Sequence, residues 1–280
     1  MTKFSPFHAQ DVYDGVTAIT GIVRELAFLV RGSDRALLID TLSGIGSLGT
    51  FCQGLTSLPI AVANTHGHVD HLGGNAEFGP CYIHPLDAEV ARYQISIPKR
   101  THFLVEECKV DLAARGASVD DFAGGELGPT LPLAEGDRLD LGGGRVLEVL
   151  HVPGHTAGSV AFLDIGARCA FIGDCLGTGL IHENSTTVEE YVAALERFKS
   201  HASRFDRMVW GHNNLERLTP ADIDTVLEVC REILSGTDDA VPLRGHPIAD
   251  DLVCAKRTDG QGRRLDGKWG NLVYDPKRVR

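Results

Sequence analysis

Short hydrophobic runs, separated by glycine and charged residues, fill the first 40 positions of the chain. The β-rich runs begin at Gly15, Leu26 and Ala36, and runs of this kind between turn residues are typical of an antiparallel meander. Residues 44–56 then carry apolar side chains at helical spacing, and the apolar segment 60–65 follows. The pattern predicts three strands, one helix and a buried strand, in that order.

The middle of the chain has a less regular pattern. A short strand is predicted at 81–84, and a helix at 86–94 begins just after Pro85. Residues 95–130 have little strand character and end in a stretch rich in glycine and aspartate. We interpret 95–130 as a helical insertion, with a helix predicted at 103–115.

From residue 131 onward the β-rich runs return, each bounded by glycine. Helices are predicted at 188–200, behind a Ser-Thr-Thr cap, and at 221–235, between a proline and a glycine. This order of elements favours one α/β domain spanning 1–280, in which two β-sheets carry helices on their outer faces. Residues 250–280 are predicted to add a C-terminal basic β-hairpin extension.

Charge and composition narrow the class of protein. With 38 acidic and 27 basic residues among 280, the formal net charge is −11, which disfavours binding to nucleic acid or to an anionic membrane. No stretch approaches the about 20 apolar residues that span a bilayer, and the first ten residues lack the features of a secretory signal. The sequence therefore predicts a cytoplasmic protein that acts on a small molecule, and it allows a homo-oligomer. Seven cysteines without a CxxC pair argue against a disulfide framework.

The densest chemical signal follows the apolar segment 60–65. His66, His68, Asp70 and His71 place four candidate metal ligands within six positions, and the glycines around them let a crowded loop turn. Histidines at i and i+2 of an extended turn can point the same way, so one loop can face two ions. A His-rich surface loop that binds nothing is the alternative.

Further candidate ligands lie in the same kind of position, each just past an apolar strand. They are His155 in LEVLHVPGHT, Asp174 in CAFIGDCLG and His212 in RMVWGHNN. Taken singly, an aspartate after a strand is usually a turn former, and a lone histidine is usually a hydrogen-bonded surface residue. As an ordered set they indicate a metal centre.

In this set and order the chain resembles the metallo-β-lactamase-fold hydrolases, whose motifs are HxHxDH, a later histidine, a later aspartate and a final histidine. The resemblance covers about residues 15–235. It implies a four-layer αβ/βα sandwich of two mixed β-sheets flanked by helices, with the metals at one edge between the sheets. Carried over position by position, it implies that His66, His68 and His155 bind the first metal, that Asp70, His71 and His212 bind the second, and that Asp174 bridges both.

The chemistry of these ligands suits two Zn²⁺ ions per chain, because imidazole prefers zinc and a three-histidine site leaves one position open. The carboxylate oxygens at the second site are hard ligands, so iron or manganese also fits there. Two such ions would share a water and lower its pKa toward about 7. Asp70 is the predicted catalytic residue, orienting this water and passing a proton to the leaving group. Thr65 and Thr156 are candidate partners for the ligand imidazoles, and Cys175 is disfavoured as a ligand.

The resemblance leaves the substrate open, because members of this family carry out several reactions. A bridging Asp174 argues against a true β-lactamase, and GlyAspCysLeu at 173–176 is similar to the GlyAspThrLeu of glyoxalase II. We expect a small ester, thioester or lactone-type acyl substrate. Loop residues predicted to contact it are Phe103, Phe122 and His182.

Three other functions stay open. A phosphodiesterase or nuclease is favoured by the basic residues at 256–280, although their more probable role is packing of a solvated hairpin. A mononuclear-iron oxidoreductase similar to persulfide dioxygenases uses part of the same ligand set. A non-catalytic metal-binding scaffold is the third alternative.

Overall fold

The structure is a computed structural model that describes residues 4–212, 215, 218–244, 249 and 251–280. Its first sheet has seven strands arranged in sequence order. They are β1 (His8–Tyr13), β2 (Val16–Thr20), β3 (Leu26–Arg31), β4 (Ala36–Ile39), β5 (Ile60–Ala63), β6 (Cys81–Ile83) and β7 (Thr130–Pro132). Strands β1 to β4 form the predicted antiparallel meander, and β4 to β7 run parallel to one another.

The second sheet has five strands in the order β13-β11-β10-β9-β8. They are β8 (Arg138–Asp140), β9 (Val146–His151), β10 (Val160–Asp164), β11 (Cys169–Phe171) and β13 (Arg207–Val209). All neighbouring pairs are antiparallel except β11 and β13. Both large sheets are therefore mixed, as the sequence predicted.

A third, four-stranded sheet was not predicted. It contains β12 (Thr178–Ile181), β14 (Val241–Pro242), β15 (Val253–Cys254) and β16 (Asn271–Tyr274). Strands β15 and β16 form the antiparallel pair expected in the C-terminal extension, and β16 also pairs in parallel with β12. Since β12 and β16 are far apart in sequence, no local pattern indicates their pairing.

In the residues that the structure describes, six α-helices surround the sheets. They are α1 (Leu48–Leu55), α2 (Val69–Leu72), α3 (Ala88–Gln94), α4 (Ile97–His102), α5 (Val188–Ser200) and α6 (Ala221–Ser235). Short 3₁₀ turns lie at Asn75–Glu77, Pro85–Asp87, Val119–Asp121, Ala202–Arg204 and Pro276–Arg278. None of the helices in the described part of the chain has the length and apolarity needed to cross a bilayer.

The predicted helix at 103–115 is wrong in its bounds. The helical segment begins at Ile97, behind Ser96 and with Pro98 in its first turn, and it ends in a π-helical turn at Phe103–Glu107. Lys109 then adopts a left-handed backbone with φ of 56°, which breaks the helix. The apolar spacing that suggested a longer helix instead places Leu104 and Leu112 in a small core beneath the loop.

The core lies in layers that match the predicted sandwich. Phe28 of the first sheet meets Phe162 and Phe171 of the second in the central layer between the sheets. Helix α1 covers the outer face of the first sheet, and α5 and α6 cover the outer face of the second. The four-layer αβ/βα architecture is thus confirmed, and both sheets end at an edge that carries the candidate ligands.

Candidate metal centre

Strand ends bring the candidate ligands together. His66 and His68 lie in the loop after β5, and His71 lies in α2, directly behind that loop. Because β4 and β5 are parallel neighbours, the residues that follow them lie at one edge of the first sheet.

The second sheet contributes the remaining ligands to the same edge. His155 follows β9, Asp174 follows β11 and His212 follows β13. The last two are held side by side, because β11 and β13 are parallel and the Gly211 amide donates to the Gly173 carbonyl at 3.1 Å. The structure therefore brings all seven predicted ligand residues into one cluster, drawn from both sheets.

The ligand atoms form two groups joined by one carboxylate. The side-chain donor atoms of His66, His68 and His155 lie within 4.8 Å of one another, and those of Asp70, His71 and His212 do the same. Asp174 lies between the groups: its carboxylate oxygens are 3.1 Å from His212 Nε2, 3.4 Å from His71 Nε2 and 3.7 Å from His155 Nε2. This arrangement matches two adjacent cation sites that share Asp174.

Two of the donor atoms at the centre have no hydrogen-bond partner. His66 Nε2 and Asp174 Oδ1 are buried, and neither has a hydrogen-bond partner. An unsatisfied buried polar group costs about 1–3 kcal/mol. His68 Nδ1 also approaches His155 Nε2 to 2.8 Å. A cation at the centre satisfies all of these atoms, so the residues present fit the metals that the family implies.

Hydrogen bonds on the outer side fix which ring nitrogens face inward. His71 Nδ1 lies 2.8 Å from an Asp40 carboxylate oxygen, and His155 Nδ1 lies 3.1 Å from the Leu180 carbonyl. Both partners are acceptors, so each Nδ1 carries a proton and each Nε2 is the atom that would face a metal. His66 Nδ1 lies 3.1 Å from the Thr65 hydroxyl, which itself donates to Asp40 at 2.8 Å.

Asp40 was not predicted, although it contacts His71 directly and His66 through Thr65. It is 2% exposed and also accepts the Thr65 amide at 2.7 Å. It directly follows β4 and has a left-handed backbone with φ of 62°. The available signal was an acidic residue at the end of the apolar run ALLID, beside the strand that leads into the histidine motif.

A second buried carboxylate, Asp87, joins the two ligand loops and was also not predicted. It accepts the amides of Gly67 and Gly158 at 2.7 Å each and the hydroxyl of Thr156 at 2.6 Å. A Cβ atom at Gly158 would lie 2.6 Å from the Asp87 carboxyl carbon, so this position requires glycine. Thr156 therefore acts through Asp87, whereas Thr65 contacts a candidate ligand directly.

Burial and neighbouring charges set the protonation of the metal-free cluster. Burial, together with the other histidines, lowers the pKa values of His66 and His68 well below the usual value, so both are neutral. Burial alone would lower the pKa of His71, but the carboxylates around it raise this pKa to about 10. Burial likewise opposes ionisation of Asp174, yet His212 and His71 hold its pKa well below the usual range.

A cavity of about 930 Å³ opens over the cluster. His68, Asp70, His155 and Asp174 lie along it, and its walls come from α3, α4, the π-helical turn and residues 180–185. Because its floor contains four of the seven candidate ligands, this cavity is the candidate substrate site.

Two of the three predicted substrate contacts lie in this cavity. Phe103 and His182 line it, and the buried His182 Nδ1 has no hydrogen-bond partner. Phe122 does not line it, so this prediction is corrected. Its ring packs beside Leu104, with the Arg100 guanidinium 5.0 Å from the ring centroid.

Several cavity residues were not predicted individually. Lys99 forms an ion pair with Glu107 at 2.6 Å, and Tyr93 and Gln94 complete the wall from α3. Their only signal in the sequence was proximity to the segment at 95–130. Cys175 stays outside the site, 1% exposed in the core of the second sheet.

A family model described as the metallo-beta-lactamase superfamily matches residues 21–246. The chain belongs to this superfamily. The resemblance drawn from the motifs is thereby confirmed, and with it the assignment of the protein as a metal-dependent hydrolase.

The curated relatives of the chain include two kinds of enzyme. The bovine and human acyl-coenzyme A thioesterases MBLAC2 are each 29% identical over 203 residues, which cover 67% of this chain and 72% of theirs. A hydroxyacylglutathione hydrolase from Synechococcus sp. is 30% identical over 143 residues, covering 50% of this chain and 44% of that protein. A solved metallo-beta-lactamase from Pontibacter korlensis superposes with a TM-score of 0.57 at 17% identity, covering 80% of this chain and 99% of that one, and so shares the fold.

Proposed function

We propose that the protein is a dinuclear zinc hydrolase that cleaves acyl thioesters. The observation that carries the metal centre is the convergence of seven donor side chains, with His66 Nε2 and Asp174 Oδ1 buried and unpartnered. The similarity to acyl-coenzyme A thioesterases over two thirds of the chain supports a thioester substrate within the broader ester, thioester and lactone class.

The chain's own residues supply binding, orientation and proton transfer. When bound, the metals provide a water of lowered pKa and polarise the substrate carbonyl. His182 lines the cavity with an unpartnered Nδ1, so we assign it to the carbonyl oxygen of the substrate.

We assign proton transfer to Asp70. Its Oδ2 lies 3.5 Å from His212 Nε2 and 3.9 Å from His71 Nε2, while the residue also lines the cavity. We assign one oxygen of Asp70 to the second metal and the other to the attacking water. That oxygen would accept a proton from the water as the water attacks, and would then donate it to the leaving thiolate.

The structure offers less support for the nuclease alternative, because basic side chains of the tail are paired with acidic ones. Lys256, Arg264, Lys268 and Lys277 of the basic tail each form an ion pair with an acidic side chain. Trp269 packs against the core of the second sheet. Three of these ion pairs link the tail to residues outside it, Glu232, Glu228 and Asp251, which supports a packing role for the tail.

The test is an activity screen of the purified, metal-loaded protein. Substrates are an acyl-coenzyme A, a hydroxyacylglutathione, a lactone, a p-nitrophenyl ester and bis-p-nitrophenyl phosphate, and metal content is measured in parallel. We expect two zinc ions per chain and the highest kcat/KM on a thioester. One iron per chain with oxygen uptake on a persulfide, or fastest cleavage of the phosphodiester, would overturn the proposal. Two bound zinc ions with no turnover would leave a metal-binding scaffold.

The variant Asp174→Ala tests the bridging role. It removes the carboxylate shared by the two ligand groups, so we expect loss of both thioesterase activity and the second zinc ion. Asp14→Ala is the matched control, because Asp14 is exposed in the turn between β1 and β2. An Asp174→Ala protein with full activity would contradict the assigned centre.

A further inference from the structure

A second cavity, of about 570 Å³, carries a concentration of positive charge. Arg24, Lys109 and Arg115 line it together with a single carboxylate, Asp111. The rest of its lining is Cys108 and small or aliphatic side chains. We call this the basic cavity. It contrasts with a chain whose formal net charge is −11.

The backbone fixes the positions of the cations. Arg24, with φ of 70°, sits in a tight turn in which the Gly21 amide donates to the Glu25 carbonyl at 2.9 Å. Lys109, with φ of 56°, follows the π-helical turn, where the Val110 amide donates to the Leu104 carbonyl at 2.8 Å. Left-handed backbone at arginine or lysine is uncommon. It directs both segments to the same cavity.

Two of the cations that line the basic cavity, Lys109 and Arg115, keep most of their charge available. Lys109 approaches Glu106 only to 3.9 Å, and both side chains are more than 60% exposed, so the pair contributes little. Asp111 uses one carboxylate oxygen to accept the Ala114 amide at 2.9 Å. Within the described part of the chain, the Arg115 guanidinium has no hydrogen bond or ion pair.

The basic cavity borders the candidate metal centre. The turn that carries Arg24 leads directly into Glu25, which forms a β-bridge with His212, and the Leu26 amide donates to the Gly211 carbonyl at 2.8 Å. On the other side, Glu107 lines the substrate cavity and its neighbour Cys108 lines the basic cavity. The linings of the two cavities thus meet at the consecutive residues Glu107 and Cys108.

We propose that the basic cavity binds the phosphate groups of a coenzyme A thioester whose acyl end lies over the metal centre. This inference rests on the proposed thioesterase function and names its substrate class. A coenzyme A thioester has several phosphate charges at the end remote from the sulfur, and clustered Arg and Lys side chains suit such groups. The aliphatic lining of the basic cavity suits the uncharged parts of coenzyme A.

Two thioesters with the same acyl group distinguish the contribution of the basic cavity from that of the cavity over the metal centre. The first is acyl-coenzyme A, and the second is the acyl N-acetylcysteamine thioester, which has no phosphate. For the double variant Lys109→Ala/Arg115→Ala we expect KM for acyl-coenzyme A to rise about tenfold, as the loss of charge-assisted contacts implies. Turnover of the N-acetylcysteamine thioester should stay unchanged.

Arg35→Ala is the matched control. Arg35 is exposed in the hairpin between β3 and β4, at the opposite end of β3 from the turn that holds Arg24. This control should leave both substrates unaffected. Equal effects of the double variant on both thioesters, or no effect on either, would overturn the inference while leaving the thioesterase proposal intact.

A binding measurement tests the basic cavity without turnover. Adenosine 3′,5′-bisphosphate carries phosphates but no thiol that could reach the metals. Calorimetry with the metal-loaded protein should give binding that weakens about tenfold in the double variant and weakens in high salt. This measurement tests the basic cavity even if the wild-type protein hydrolyses no thioester. Absent binding, or equal binding by wild type and the double variant, would refute the phosphate site.

Discussion

Asp40 shows how much of the metal centre depends on a single residue outside it. Its carboxylate accepts hydrogen bonds from His71 Nδ1, from the Thr65 hydroxyl and from the Thr65 amide. Through Thr65 it also reaches His66. One carboxylate thus sets the orientation of one imidazole from each ligand group, which couples the two groups.

We expect Asp40→Asn to weaken zinc binding about 10–100-fold, the usual cost of losing a partner of a ligand imidazole. The amide nitrogen of asparagine can donate but not accept, so at least one of the three hydrogen bonds is lost. Competition with a chelator measures the affinity. Asp34→Asn, at an exposed carboxylate between β3 and β4, should bind zinc like wild type. Equal affinities in the two variants would refute this role for Asp40.

His182 offers a test of substrate orientation that is separate from metal binding. We expect His182→Ala to lower kcat on a thioester by about 100-fold, as removal of one donor to a developing oxyanion does, while the zinc content stays at the wild-type value. His182→Gln, which keeps a donor, should recover part of the rate. His8→Ala, at an exposed position where β1 begins, serves as the control. A loss of zinc in His182→Ala would show a structural role instead.

The residues that meet at the centre could be named from the sequence because each follows an apolar strand in a recognisable motif. Asp40 and Asp87 could not, since their roles depend on contacts with loops 20 to 71 positions away. The prediction for Phe122 was wrong because its ring packs against Arg100, which is buried. No sequence pattern indicates a buried guanidinium in an amphipathic segment.

At the level of elements, α4 is attached to the metal centre by the buried guanidinium of Arg100. Its Nη1 donates to the carbonyls of Gly44 and Gly73 at 3.2 and 2.8 Å, and its Nη2 donates to those of Ala123 and Gly124 at 2.6 and 2.9 Å. Gly73 lies just after His71 at the end of α2. Arg100 therefore joins the predicted insertion to the loop that carries the histidine motif.

We expect Arg100→Met to destabilise the fold by about 3 kcal/mol, because the carbonyls of Gly73, Ala123 and Gly124 lose the guanidinium as a donor. Arg100→Lys should recover only part of this free energy, since an ammonium cannot reproduce the planar fork. Urea unfolding provides the measurement. Arg92→Met, on the exposed face of α3, should change stability little. A similar free energy of unfolding in the Arg100 and Arg92 variants would contradict the role of the guanidinium.

Elements with local start and stop signals were predicted to the residue. Helix α5 begins with a capping box between Thr187 and Glu190, and α6 ends at Gly236 in a left-handed conformation. The helix predicted after Phe103 has the wrong bounds, because the apolar residues there pack in the small core beneath the loop. Prediction of the third sheet failed because its parallel pair joins segments that only tertiary packing brings together.

In the whole molecule, the ligand set is divided between the two sheets. The histidine motif belongs to the first sheet, whereas His155, Asp174 and His212 belong to the second. Bound metals would therefore connect the two halves of the sandwich across its open edge.

We expect chelation of the metals to lower the melting temperature of the protein. Each site contributes about 2.7 kcal/mol when free metal is at about 100 times its Kd. Calorimetry before and after treatment with a chelator, followed by addition of zinc, measures the effect. Asp174→Ala should show a smaller shift than wild type, and an identical melting temperature with and without metal would contradict a connection across the sheets.

The same division has a consequence for biosynthesis. The ribosome releases the amino-terminal segment first, so the cluster from His66 to His71 emerges well before His212. A nascent chain that has exposed only its early histidines offers incomplete and competing coordination. If the proposed centre forms, metal acquisition is expected to be a late event that follows docking of the carboxy-terminal half.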